Sequence, residues 1–192
     1  MALIGINGYS NSGKDELARS IQKIDPSYEN KKFAGKLKQV ASILLGEPVE
    51  SFEDRWFKES VLDYSWWKVN KDGESPMYVR EFLQILGTEG LRNNLHQNVW
   101  VNALFADYRP AKLSEYNPSN WVISDVRFIN EAQAIKDRGG YVIRIDRPGV
   151  KPVNNHSSET GLDNWDFDFK VANVSDLVSL GYSADFILKQ IQ

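Results

Sequence analysis

Residues 2–16 read "ALIGINGYSNSGKDE". A short apolar run, Ala2 to Ile6, leads into Gly8, four further residues, and then Gly13 and Lys14. The run predicts a buried strand. Behind the loop, "KDELARSIQKI" sets Leu17, Ala18, Ile21 and Ile24 at helical spacing, so a helix over 14–24 is expected. A glycine loop between a strand and a helix turns its backbone amides into a concavity that binds phosphate oxygens. The following helix adds its positive N-terminal end. An ordinary glycine turn is the plainer reading, but the strand before the loop and the helix after it are the context a phosphate loop requires. The loop residues Gly8, Asn11, Ser12, Gly13, Lys14, Asp15 and Glu16 are therefore candidate nucleotide ligands, and Lys14 is expected to reach the β- and γ-phosphates. The residue after the lysine is usually Ser or Thr, whose hydroxyl binds magnesium; here Asp15 and Glu16 follow instead.

Outward from the loop, apolar strands alternate with helical patterns. "YENKKFA" (28–34) reads as a second strand and "GKLKQVASILLG" (35–46) as a helix. Residues 46–78 hold a short helix and connections. "YVREFLQILGTEGLRNNL" (78–95) begins as a helix and is expected to break near Gly87. "NVWVNALFADYR" (98–109) is a helix closed by Pro110. "WVISD" (121–125) is a strand ending in an acid, "NEAQAIKDRGG" a helix with a glycine stop, and "YVIRI" (141–145) the next strand. Residues 146–168 are polar and rich in turn formers. "FKVAN" is a last strand before a terminal helix over 175–191. This alternation predicts an α/β fold, a mostly parallel sheet with helices on both faces. Ligands of such sheets bind beyond the carboxyl ends of the strands. The glycine loop and Asp125 both fall there.

The chain has 192 residues, 42% of them hydrophobic, with a net charge of −3 and a pI near 5.5. That suits one domain with a sizeable core. It disfavours a protein that coats a nucleic-acid polymer, which needs a basic surface, but leaves room for a local basic pocket. There are no cysteines, which excludes disulfides and thiolate chemistry. No N-terminal leader pattern is visible, and no stretch approaches the ~20 apolar residues of a membrane span. The expected location is the cytoplasm.

An apolar strand ending in Asp125 is a usual source of the acid that organises magnesium. Arg127 stands where it could contact a transferring phosphoryl group, and Glu131 can pair with it across one helical turn. A structural salt cluster of Asp125, Arg127 and Glu131 is the competing reading. Arg80 and Gln84 share a helix face, with Gly87 and Thr88 following; together they could read a phosphate and a base edge, or simply form a solvated face. Trp100 is a stacking platform or a core residue. His156 and Glu159 are two candidates in the polar loop after Arg144 and Arg147. With no second histidine nearby, a zinc site is rejected. No serine–histidine–acid set suggests a hydrolase.

These blocks together resemble the deoxynucleoside monophosphate kinases of tailed bacteriophages. The resemblance runs through "GYSNSGKD", "FAGKLK", "REFLQILGTEGLR", "NVWV", "ISDVRFINEAQAI", "VIRIDRPG" and "HSSETGLD", in that order, over residues 5 to about 163. It implies a three-layer P-loop NTPase fold like that of the nucleoside monophosphate kinases, in one domain over 1–192. A mainly helical acceptor-binding part is expected at about 35–110 and a lid loop at about 146–168. It implies transfer of the γ-phosphoryl group of ATP to a deoxynucleoside monophosphate, with Mg²⁺. On this resemblance Lys14, Asp15 and Arg127 are catalytic. Lys36, Arg80, Gln84, Gly87, Thr88, Trp100, Asp125, Arg127 and Glu131 bind substrate. Asp15 and Asp125 hold magnesium, directly or through water. The implied partners are small nucleotides, with no nucleic-acid polymer and no membrane, and a homodimer is left open. Thr commonly follows "GKD" in the family; Glu16 here either points away or acts on the metal through water. Asp15 needs its charge offset, and magnesium or Arg127 is the expected source. The alternatives are a phosphomevalonate kinase-like enzyme and a non-catalytic nucleotide-binding regulator.

Overall fold

Leu3–Asn7 (β1) is buried at all five positions, as a strand covered on both faces must be. The computed structural model describes residues 2–71, 73–109, 120–152, 160–174 and 176–191. The chain divides into two compact units, Met1–Phe33 with Leu104–Gln192, and Ala34–Ala103.

In the first unit, β1 lies between β5 (Asn120–Ile123) and β6 (Tyr141–Asp146). β2 (Tyr28–Lys31) and β7 (Phe169–Ala172) lie outside them, in the order β2-β5-β1-β6-β7. All four pairings are parallel, with Ile4 opposite Val122 on one side and Tyr141 on the other. Ile4 and Ile6 pack into one apolar cluster with Leu17 and Ile21 of α1 (Lys14–Ile24) and with Leu180 and Ile187 of the terminal helix α7 (Leu177–Ile191). Gly5 faces the other way. A Cβ there would come within 2.5 Å of Ile135 Cδ1 on α6 (Ile129–Lys136), so a side chain would displace the Ile135 side chain packed there. The result is three layers, helix–sheet–helix. β1 is also where the strand order reverses, because the chain leaves it toward β2 on one side of the sheet and later crosses from β5 past it to β6 and β7 on the other. A parallel sheet opens its ligand crevice at that point, past the carboxyl ends, and the glycine loop leaves β1 there.

The second unit is mainly helical. It holds α2 (Phe33–Leu45) from Ala34 on, a 3-10 turn at Val49–Glu53, α3 (Arg55–Lys58), a second turn at Tyr64–Trp66, a hairpin of β3 (Lys68–Asn70) and β4 (Gly73–Ser75), α4 (Val79–Gln84), and most of α5 (Val99–Phe105). Its core gathers Ala41, Phe52, Val79 and Phe82, with edge-to-face pairs Phe52–Phe57 and Trp66–Phe82.

Several boundaries differ from the sequence reading. β2 stops at Lys31 and α2 starts at Phe33, two residues before Gly35, because the Asp125 carboxylate receives the Phe33 N–H at 2.9 Å. The helical run from Tyr78 does not break at Gly87. It continues from Ile85 to Asn93 as a π-helix. Gly87 packs against Leu37, and a Cβ there would lie 2.8 Å from Leu37 Cδ2, so the leucine side chain would have to shift. The β3–β4 hairpin was not anticipated, its strands being too short to show alternation. α5 ends at Phe105 rather than 109, where the Tyr108 N–H returns to the Phe105 carbonyl; Pro110 lies outside the described residues.

Candidate functional site

Gly8 opens the loop because nothing larger fits. A Cβ there would meet the Ile145 carbonyl and Ser12 Oγ, both at 2.5 Å. Two loop residues take positive φ, Asn11 at 63° and Gly13 at 104°. Asparagine and glycine tolerate that conformation best, and it turns successive amides toward one concavity. Lys14 folds back over the loop, its Nζ donating to the Gly8 and Tyr9 carbonyls at 2.7 Å each. Ser12 is buried, and its Oγ has no hydrogen-bond partner, an orphaned polar atom in the loop wall. Asn173, just past β7, braces the loop from outside: its amide donates to the Ser12 carbonyl at 2.9 Å. Nothing in the sequence reading singled out Asn173.

Asp15 sits on the first turn of α1. Its Oδ1 accepts from Lys32 Nζ and from Ser124 Oγ, each at 2.9 Å. Burial alone would raise its pKa. The hydrogen bonds from Lys32 and Ser124 and the charges of Lys32 and Lys14 outweigh that and hold it below the usual carboxylate range. The offset charge therefore includes Lys32, a residue not picked out from sequence. Glu16 pairs along its own helix with Arg19, Oε1 to Nη1 at 3.1 Å.

Asp125 follows β5 and anchors α2 through the Phe33 N–H. Glu131 is buried and caps α6: its Oε2 accepts the N–H groups of Arg127 at 2.9 Å and Phe128 at 3.2 Å. These contacts show a helix-capping acid that fixes the main chain of Arg127. Asp125 and Arg127 thus lie on the turn between β5 and α6, and Glu131 on the first turn of α6.

A second charged group backs the loop. Arg144 on β6 is buried. It donates to Asp146 Oδ1 and Asn7 Oδ1 at 2.7 Å each, reaches Asp163 Oδ1 at 3.4 Å, and lies over the Tyr9 ring at 4.4 Å. Burial would lower its pKa, but Asp146 and Tyr9 more than compensate and raise it. The Tyr9 hydroxyl donates to Asp163 at 3.0 Å. The polar segment after β6 is therefore pinned to the loop at Asp163, with Leu162 buried. His156 and Glu159 lie outside the described residues. Beside the loop, Asn11, Gly13, Arg147, Asn173, Leu177 and Leu180 line a cleft of about 330 Å³.

The second unit carries the other expected residues. Exposed Arg80 donates from Nε (3.2 Å) and Nη2 (2.6 Å) to Glu59 Oε1. Gln84 is exposed on the same helix, Thr88 and Lys36 are half-buried, and Gly87 is buried. Trp100 is 5% exposed and its Nε1 donates to the Gly87 carbonyl at 2.8 Å. That is the core placement, with the indole N–H already used.

Among the described residues no group of three or more His, Asp or Glu side chains is gathered to hold a metal. Asp15, two residues after Gly13, and Asp125, next to the Ser124 that bonds Asp15, nonetheless offer hard oxygen donors. That donor set suits magnesium, which takes one or two carboxylates and draws its other ligands from phosphate and water.

The family described as deoxynucleotide monophosphate kinase matches residues 53–183. A protein of Acanthamoeba polyphaga mimivirus whose name carries the same description is 35% identical over 181 residues, 84% of this chain and 82% of that protein. The deoxynucleotide monophosphate kinase of Enterobacteria phage T4 is 33% identical over 107 residues, 56% of this chain and 44% of the phage protein. Among solved structures, TT1252 from Thermus thermophilus superposes with a TM-score of 0.51 at 17% identity, covering 100% of this chain and 98% of that one.

Proposed function

This chain belongs to the deoxynucleotide monophosphate kinase family, and we propose that it transfers the γ-phosphoryl group of ATP to a deoxynucleoside monophosphate, giving the diphosphate and ADP. The observation that carries the donor half is the loop itself. Lys14 rests on two of the loop's own carbonyls, and Asn11 and Gly13 hold it in an anion-binding curve. The triphosphate enters that concavity, Lys14 moves from the carbonyls onto it, and Ser12 Oγ gains a partner. The purine occupies the cleft lined by Arg147, Asn173 and Leu177. Asp15 and Asp125 would hold magnesium, which when bound neutralises phosphate charge.

Phosphoryl transfer needs little covalent help from the protein. It needs two anions in line and the charge on the transferring group balanced. Lys14 and Arg127 are assigned to that balance. Glu131, by fixing the main chain of Arg127, sets where its guanidinium emerges. The acceptor phosphate is ionised near neutral pH, so no general base is assigned. In the second unit Arg80 grips the acceptor 5′-phosphate, exchanging Glu59 for it, and Gln84 reads the base edge. The phosphomevalonate reading is not favoured by the family match. We assign the protein to nucleotide supply for DNA synthesis.

The test is acceptor-dependent ADP release with ATP and Mg²⁺. Arg80→Ala is expected to raise the acceptor KM about tenfold or more while the ATP KM moves little, because a bidentate charged bond is lost from one substrate alone. Equal effects on both KM values would remove Arg80 from the acceptor site.

A further inference from the structure

A carboxylate is an awkward residue to place next to a phosphate-binding lysine. Ionised, it cannot donate to phosphate, and it repels the anion the loop is shaped to hold. The hydroxyl found there in other loops has no charge to balance. In this chain the Asp15 carboxylate directly follows Lys14 on the first turn of α1 and is engaged by two donors from the neighbouring strands' ends. Directly opposite, Lys32 Nζ lies 2.9 Å from Asp15 Oδ1. Lys32 stands on the short turn between β2 and α2. The Ser124 N–H donates to the neighbouring Lys31 carbonyl at 3.3 Å, and the Ser124 hydroxyl holds the same Asp15 oxygen from the other side.

We propose that Lys32 is a charge-balancing residue of the phosphate loop, cancelling the charge of Asp15 so that the pair presents the net charge of the hydroxyl it replaces. The inference rests on the reading of the loop as the ATP-phosphate site. Lys32 acts through Asp15 and is a positioning residue. Its loss leaves an uncompensated carboxylate at the triphosphate, and the loss is undone by neutralising Asp15. A lysine that merely braced the β2–α2 turn would behave differently: removing Asp15's charge as well would not restore anything.

The experiment is calorimetric titration of ATP into the wild-type protein, Lys32→Met, Asp15→Asn and the double variant, in EDTA and again with Mg²⁺, with thermal unfolding recorded for each. In EDTA, Lys32→Met is expected to weaken ATP binding about tenfold or more, an effect that shrinks as salt screens the exposed part of the repulsion. In the same EDTA buffer, where no magnesium depends on Asp15, the double variant is expected to return to within about threefold of wild type, a non-additivity that marks direct coupling; with Mg²⁺ both variants lacking Asp15 are expected to bind more weakly than wild type. Lys32→Arg is expected to bind as wild type does. Lys32→Gln serves the same cycle where Lys32→Met does not fold. A double variant that binds no better than Lys32→Met overturns the proposal. Wild-type protein that fails to bind ATP at all overturns the phosphate-site reading beneath it, so the two failures are distinguishable.

Discussion

Lys14 donates to the Gly8 and Tyr9 carbonyls at 2.7 Å each, contacts that a bound phosphate would replace. Lys14→Met is therefore expected to lower kcat by about a hundredfold or more, since it removes charge aimed at the developing transition state. Its circular dichroism should stay native. Near-normal turnover in a folded Lys14→Met protein would remove the lysine from the chemistry. Asp15 gives a pH-dependent test. Its folded pKa is lowered by Lys32, Ser124 and Lys14 against the opposing effect of burial. A depressed carboxylate stabilises the fold fully above its unfolded pKa, and that stability is lost as pH falls through the folded value. Wild type should thus be more stable than Asp15→Asn above about pH 4, and the gap should close progressively below it. Urea midpoints from pH 7 down to pH 2.5 read this directly, and a gap that stays constant would show that the carboxylate's charge is not what holds it.

At the scale of elements, α6 depends on an acid inside its first turn. Glu131 is 2% exposed and receives the N–H groups of Arg127 and Phe128. Glu131→Ala is expected to cost about 1–3 kcal/mol, from a lost cap and two N–H groups left wanting. It should also lower kcat, by loosening the turn that carries Arg127; unchanged stability would contradict the capping role. The glycine loop and its flanking strand and helix were legible because their signal is local: an apolar run, two glycines and a lysine within a dozen residues. The contacts that complete the site are not local. Ser124 meets Asp15 across 109 residues, Arg144 meets Asn7 across 137, and Tyr9 meets Asp163 across 154. Only the sheet brings them together, so Lys32 and Asn173 gave no warning in sequence, and Asp163 stood only as the end of the "HSSETGLD" block with no role attached. Gly87 misled for a related reason. Its missing Cβ looked like a helix breaker, whereas it packs against Leu37.

Over the whole molecule, the loop, its bracing residues and the Asp125–Arg127 turn belong to the unit built on the parallel sheet, and Arg80 and Gln84 to the helical one. The residues proposed for the donor and those proposed for the acceptor therefore belong to different units. The mostly parallel sheet and the loop follow from apolar patterning and glycine placement, while the strand order does not, and the acceptor rests on family membership and on the exposed Arg80–Glu59 pair. The measurement that tests the account most directly is therefore ADP release by the wild-type protein at saturating ATP and Mg²⁺, with each deoxynucleoside monophosphate in turn and with phosphomevalonate as a control. Turnover with at least one deoxynucleoside monophosphate, thymidylate and deoxyguanylate first, and none with phosphomevalonate is the predicted result; silence with every deoxynucleoside monophosphate, in protein that binds ATP, would contradict it.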